Sequence, residues 1–204
     1  MAILISFYAF IAIGIAEGGW GVLIPSISES YNLTSANITL IFLSQVTGYI
    51  FAALSSSILT SRIGLARTLL IASISLTLAL IIYASSPYWW LMVAAGSFLG
   101  LGIGLIDAGI NSYIANRNHA DLMGWLLGFY GIGALLGPAV ATTSLASGLF
   151  WRSVYLVFAG IVSLLVVGML WAVISDFRTV TKRIKKSDRT ESAYVGTAVK
   201  APAG

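Results

Sequence analysis

Six long apolar segments dominate this sequence and restrict it to a membrane-spanning fold. Each is close to the roughly 20 residues that an α-helix needs to cross a bilayer. A soluble chain with 58% hydrophobic and 9% charged residues would expose more apolar surface than water tolerates. We therefore predict an all-α integral membrane protein with six transmembrane helices. In chain order, spans 1 to 6 lie near residues 2–24, 38–59, 66–84, 88–115, 121–147 and 153–175.

Basic residues are distributed unevenly between alternate loops. With a cytoplasmic N-terminus, the inner segments hold Arg62, Arg67, Arg117 and all the basic residues of the tail, 176–204, whereas the outer loops hold only Arg152. Cytoplasmic loops carry the excess of Lys and Arg. We therefore expect both termini in the cytoplasm, in a plasma membrane or endomembrane, with a basic tail that is disordered or lies on the lipid surface.

Two glycosylation sequons support the same orientation. They begin at Asn32 and Asn37, and both fall in the first predicted outer loop, between spans 1 and 2. Span 1 has no basic region before it and is longer than the apolar part of a secretory signal. We expect a membrane span there, not a cleaved signal.

Enzyme, metal and nucleic-acid functions find little support in the sequence. The chain has no cysteine, which excludes disulfides and thiolate metal ligands. Its glycines recur at helix-packing intervals, and no strand precedes them as a dinucleotide fold requires. We predict no enzyme activity, no metal, no cofactor and no nucleic-acid partner.

Two carboxylates lie inside the predicted spans, in the same local pattern. Residues 14–19 read Gly-Ile-Ala-Glu-Gly-Gly around Glu17, and residues 104–109 read Gly-Leu-Ile-Asp-Ala-Gly around Asp107. Ionisable residues in hydrocarbon cost several kcal/mol at least and usually mark a functional site. The alternative is a protonated or paired carboxyl that locks two helices together. A functional role would be coupling to protons, with sodium as the rival ion.

Small and polar residues form stripes beside these acids. In span 4, Gly100, Gly104, Asp107 and Asn111 follow helical steps of three and four, so small residues and polar groups share one protected face. In span 2, Gln45 lies four residues before Tyr49. We expect this pair to reach the same cavity, although Gln45 also fits a simple role as a hydrogen bond between helices.

Span 5 carries a recognisable motif. Gly124 is followed after eight residues by Gly133, three more residues, and then Gly137 and Pro138. This segment resembles the helix 5 motif of the major facilitator superfamily, without its final paired glycines. Glycine and proline here permit close packing and a bend. The resemblance implies a secondary transporter built from inverted three-helix repeats.

Two further segments resemble this superfamily. The loop between spans 2 and 3 keeps Leu59, Arg62 and Gly64 of the family's Gly-x-Leu-x-Asp-Arg-x-Gly gating motif but lacks its first Gly and its Asp. Membrane carboxylates in spans 1 and 4, with Asn111 after the second, resemble the fucose permease-like branch. This implies that Glu17 and Asp107 couple or bind a small polar solute such as a sugar, together with a proton.

The family has twelve helices, whereas six are predicted here. The resemblance therefore covers the N-terminal half of such a transporter. Three interpretations stay open: a fragment, a half that forms a homodimer, and a non-transporting membrane subunit that associates with itself or with a full transporter. We expect the fragment, whose missing C-terminal six-helix half would complete the solute path.

Overall fold

The computed structural model describes residues 2–115 and 120–174. This part of the chain is helical, and six of its helical segments are long and apolar enough to cross a membrane. The predicted all-α membrane fold is confirmed. The helices are α1 (Ala2–Gly18), α2 (Trp20–Tyr31), α3 (Ser35–Ile63), α4 (Leu65–Ser85), α5 (Trp89–Ala115), α6 (Ala120–Ala146) and α7 (Trp151–Ile174).

Span 1 consists of α1 and α2 and is longer than the sequence indicated. Gly19 separates the two helices but keeps helical backbone angles, and its N–H still donates to the Ile15 carbonyl. The predicted end near residue 24 was wrong, because the helix continues through Pro25 to Tyr31. The serines that suggested a loop satisfy their hydroxyls within the helix: Ser28 donates to the Ile24 carbonyl at 2.8 Å.

The helices of the first half pack against those of the second half. Helix α1 packs mainly against α6, α3 against α5, and α4 between α5 and α7. Spans 1 to 3 are therefore held together largely through spans 4 to 6. This interleaving brings α1, α3, α5 and α6 around one interior region, where the membrane carboxylates lie.

Glycines set the distances between these helices. A Cβ atom at Gly100 would overlap the Gln45 carbonyl oxygen of α3, and one at Gly104 would lie 2.8 Å from the Ala52 Cβ. On α6, a Cβ at Gly137 would lie 2.6 Å from the Ile15 carbonyl oxygen of α1. Only glycine permits such close approach, which is the packing used between membrane helices.

The outer ends of spans 1, 3 and 6, by the predicted orientation, are joined through Arg152. Its guanidinium donates to the Ser86 carbonyl at 2.9 Å and to the Tyr31 hydroxyl at 3.3 Å. It also lies over the Trp151 ring, 4.8 Å from the centroid. The Tyr31 hydroxyl donates to the same Ser86 carbonyl. One cation thus ties three helix ends together.

Several sequence predictions fall outside the described residues. These are the basic tail, 176–204, and the loop arginine Arg117. The predicted limits of spans 5 and 6 extend one residue beyond the helices, at 147 and 175 respectively. Residue 147 lies in a turn, whereas residue 175 is outside the described part.

Candidate functional site

A pocket of about 280 Å³ lies between α1, α2, α3, α5 and the aromatic side chains of α4 and α7. Its polar wall is formed by Glu17 of α1 and by Gln45 and Tyr49 of α3. Gln45 and Tyr49 share one face because they are one helical turn apart. Gly100 of α5 also lines the pocket, and its lack of a side chain lets the α3 backbone approach closely at Gln45.

Glu17 accepts hydrogen bonds from two different helices. The Gln45 side-chain amide donates to Oε1 at 3.4 Å, and the Tyr130 hydroxyl of α6 donates to Oε2 at 2.9 Å. Helix α1 can bring Glu17 this close to α6 because Gly14 lies against the Tyr130 and Ala134 backbone. The carboxylate is half-buried and faces the pocket.

Asp107 has an equivalent pair of donors. The Tyr49 hydroxyl donates to Oδ2 at 2.6 Å, a length typical of a hydroxyl bonded to a charged carboxylate. The Asn111 amide, one turn further along α5, donates to Oδ1 at 2.8 Å. Each acid is therefore held by one tyrosine from another helix and one amide.

The structure brings together all five polar residues proposed from the sequence. Gln45 contacts Glu17, whereas Tyr49 and Asn111 contact Asp107. Helix α3 bridges the two acids, since it supplies a donor to each. The two carboxylates are also near enough to interact electrostatically. The two acids therefore share one region of the bundle, in which Glu17 lines the pocket and Asp107 does not.

Sequence reasoning missed Tyr130. Its hydroxyl forms the shorter of the two hydrogen bonds that Glu17 accepts. A usable signal was present: Tyr130 precedes Gly133 by three residues and Gly137 by seven, which places it on the face of α6 that meets α1. From sequence alone, those glycines indicate only close packing between helices.

Aromatic side chains form the rest of the wall. Trp20, Tyr83 and Tyr155 line the pocket with ring centroids 5.2 to 6.4 Å apart. Within the described part of the chain, the Trp20 indole N–H and the Tyr155 hydroxyl are buried without a hydrogen-bond partner. Buried donors of this kind normally find an acceptor. The pocket therefore offers a carboxylate acceptor beside aromatic surfaces, while the two unpaired donor atoms of its lining residues are buried.

No basic side chain neutralises the acids from within the described spans. The arginines of residues 2–115 and 120–174, namely Arg62, Arg67 and Arg152, each lie within three residues of a helix end. The same residues contain no cluster of three or more His, Cys, Asp or Glu able to hold a metal ion. The acids meet hydroxyl and amide donors instead.

The remaining sequence candidates lie away from the pocket. Gly64 connects α3 to α4 with φ of 88°, a conformation that favours glycine, and Arg62 is exposed just before it. Asn32 ends α2 in a left-handed conformation and is exposed, whereas Asn37 is half-buried in the first turn of α3. Pro138 lies within α6, one residue after Gly137.

Comparison with known proteins identifies the family. The family model described as Major Facilitator Superfamily matches residues 5–202, which is nearly the whole chain. The chain belongs to the Major Facilitator Superfamily. Members of this superfamily are transporters and not enzymes, so the membrane pocket is interpreted as part of a transport protein.

Three curated superfamily relatives are similar to this chain. Bypass of stop codon protein 6 of Saccharomyces cerevisiae is 29% identical over 78% of the chain and 33% of its own length. The glucose/mannose transporter GlcP of Bacillus subtilis is 27% identical over 73% of the chain and 38% of its own length. D-xylose-proton symporter-like 2 of Arabidopsis thaliana is 24% identical over 72% of the chain and 30% of its own length.

These coverages place the chain at about a third of the length of the superfamily relatives it matches. The match and the six membrane spans agree with the N-terminal half of a superfamily transporter. Two of the three relatives are named for the transport of sugars.

Proposed function

We propose that this chain takes part in proton-coupled transport of a small polar solute of the sugar class. The observation that carries the proposal is the pair of membrane carboxylates, Glu17 and Asp107, each held by a tyrosine and an amide. Carboxylates kept inside a membrane at such cost are typical of ion pathways. Glu17 is the acid on the pocket wall.

The surroundings of the acids favour protons over sodium. Sodium would require several oxygen ligands, but each carboxylate oxygen of Glu17 and Asp107 already accepts a bond from a hydroxyl or an amide N–H. Each oxygen keeps a second lone pair, but sodium binding would require several further oxygen atoms to turn toward the ion. A proton needs only one lone pair, and a tyrosine hydroxyl can reverse from donor to acceptor when the carboxylate is protonated.

A sugar suits the chemistry of the pocket. Sugars carry hydroxyl groups that donate to a carboxylate and accept from N–H or O–H groups, which matches Glu17 and the donors Gln45 and Tyr49 on the pocket wall. Pockets for small molecules combine apolar and aromatic walls with a few placed polar groups. The names of two relatives, which refer to glucose, mannose and D-xylose, support the same class.

The proposal includes an orientation and a partner. Both termini face the cytoplasm, because the inner loops and tail carry most of the arginine and lysine. A second six-helix unit, either a C-terminal half or a second copy of this chain, completes the path, because solute sites in such transporters lie at repeat interfaces. The competing function is a membrane subunit that does not itself transport.

Liposome uptake tests this proposal. The full chain is reconstituted, and uptake of radiolabelled D-glucose and D-xylose is measured with the interior alkaline and then with no pH gradient. We expect accumulation only with the gradient and its loss in Glu17→Gln and Asp107→Asn. Glu29→Gln is the matched control, because Glu29 is exposed and outside the pocket. Absence of uptake by the wild-type chain, with assembly intact, would exclude transport by this chain alone or with a second copy of itself.

A further inference from the structure

The two carboxylates have different relationships to the pocket. Among the described residues, Glu17 lines the pocket and Asp107 does not. Tyr49 does line it, and it also donates a hydrogen bond to Asp107. Tyr49 is therefore the side chain that touches both the space open to a solute and the second acid.

The hydroxyl of Tyr49 can serve only one acceptor at a time. It has a single proton to donate, although its oxygen can accept two bonds. While Asp107 is ionised, that proton is held by Oδ2 at 2.6 Å. The Asn111 amide bonds the other oxygen, Oδ1, so it leaves Oδ2 as the position where Tyr49 and an incoming proton meet.

We infer that Tyr49 transmits the protonation of Asp107 to the solute pocket by turning its hydroxyl. A proton from hydronium forms one new O–H bond on Oδ2, the O–H bond of the hydronium breaks and water leaves, and no covalent bond breaks in the protein. The new carboxyl O–H donates to the Tyr49 oxygen, which releases the tyrosine proton to donate into the pocket. This inference rests on the proposed function and assigns Tyr49 as a positioning residue for solute binding.

The other groups near Asp107 are consistent with this role for Tyr49. The titratable side chains that interact with it include Tyr49 on α3, Glu17 on α1 and Tyr130 on α6. Helix α4 presents Leu65 and Leu69 near Gly109 of α5, and its Arg67 is exposed. Glu17 and Tyr130 are bonded to each other, which leaves Tyr49 as the tyrosine committed to Asp107.

The inference predicts opposite effects for two substitutions. Asp107→Asn removes the charge that holds the Tyr49 proton, so the hydroxyl stays free for the solute and binding is tight at every pH. Tyr49→Phe removes the hydroxyl, so binding is weak at every pH. In the wild type, affinity should rise on acidification, by about three- to tenfold, as expected for one hydrogen bond gained. The double variant should behave like Tyr49→Phe alone.

Binding of D-glucose as a function of pH is the first test. The full chain is placed in lipid nanodiscs, and Kd is measured between pH 5 and pH 9 from tryptophan fluorescence, to which the pocket residue Trp20 contributes. Tyr8→Phe is the matched control, since its hydroxyl bonds the Ile161 carbonyl outside the pocket. A wild-type pH profile in Tyr49→Phe, or additive effects of the two substitutions, would overturn the inference.

A second measurement needs no sugar and separates this inference from the proposed function. Infrared difference spectra between acid and alkaline pH are recorded on the chain with isotope-labelled tyrosine. We expect a tyrosine C–O band that shifts with pH in the wild type and in Glu17→Gln, and that is fixed in Asp107→Asn and missing in Tyr49→Phe. A shift without D-glucose binding would refute the sugar assignment and support the Tyr49 link. A tyrosine C–O band that does not depend on Asp107 would overturn the coupling between Asp107 and Tyr49, whatever the solute.

Discussion

Tyr49 of α3 and Asp107 of α5 are joined by a hydrogen bond of 2.6 Å between the hydroxyl and Oδ2, across 58 positions of sequence. The same relationship recurs between Tyr130 of α6 and Glu17 of α1, at 2.9 Å. Each membrane acid thus depends on a tyrosine from a different helix. Any movement of one helix against the other changes the donors of a carboxylate, which is a physical route from helix motion to proton affinity.

The close contact of α3 and α5 should tolerate no side chain at Gly100. A Cβ there would overlap the Gln45 carbonyl oxygen, so Gly100→Ala should lower the free energy of unfolding by about 1–3 kcal/mol. Gly128→Ala is the matched control, because nothing lies within 4 Å of its Cβ position. Unfolding in detergent with increasing denaturant compares the two variants. Equal stability of both would contradict the packing described here.

Tyr130→Phe tests the role of the tyrosine that sequence reasoning missed. The substitution leaves Glu17 with the longer bond from Gln45 alone. We expect a loss of about 0.6 kcal/mol in unfolding free energy, the average for hydrogen bonds between membrane helices, and a weaker D-glucose affinity. Fluorescence titration measures the affinity beside Tyr8→Phe, which should keep it. Unchanged binding in Tyr130→Phe would remove Tyr130 from the site.

Lysine at position 152 should not preserve the stability that Arg152 provides. A lysine keeps the charge but lacks the planar guanidinium, which bonds the Ser86 carbonyl and the Tyr31 hydroxyl and lies over Trp151. Arg152→Lys should therefore lose nearly as much thermal stability in detergent as Arg152→Gln. Full stability in Arg152→Lys would show that charge alone matters there.

The predicted orientation can be tested with single cysteines, since the natural chain has none. Glu29 and Ser61 are exposed near opposite ends of the first two spans. In intact cells, a membrane-impermeant maleimide should label Glu29→Cys and should label Ser61→Cys only after permeabilisation. The reverse pattern would place the termini outside.

Hydropathy was enough to predict the six spans, but it could not predict where span 1 ends. The segment after Pro25 contains three serines and Glu29 and reads as a loop. It is helical because the serine hydroxyls bond carbonyls one turn earlier, while Leu23 and Ile27 are buried on the inner face. The composition shows that this segment is polar, but it does not show whether the polar side chains form hydrogen bonds within their own helix.

The site was predictable where polar residues were rare. Glu17, Asp107 and the four-residue spacing of Gln45 and Tyr49 stood out against apolar helices. Tyr130 did not, because α6 is apolar on nearly every side and its sequence gives no strong direction toward the core. The pairing of each acid with its own tyrosine depends on how α1 meets α6 and α3 meets α5, which only the packing reveals.

The most direct test of the central claim is whether a sugar gradient moves protons. Liposomes containing the chain and a trapped pH-sensitive dye are given external D-glucose with no initial pH difference. The account predicts acidification of the lumen, abolished in Glu17→Gln and in Asp107→Asn but retained in Glu29→Gln. Entry of D-glucose without any change in lumenal pH, or acidification that survives both substitutions, would contradict proton coupling through these two carboxylates.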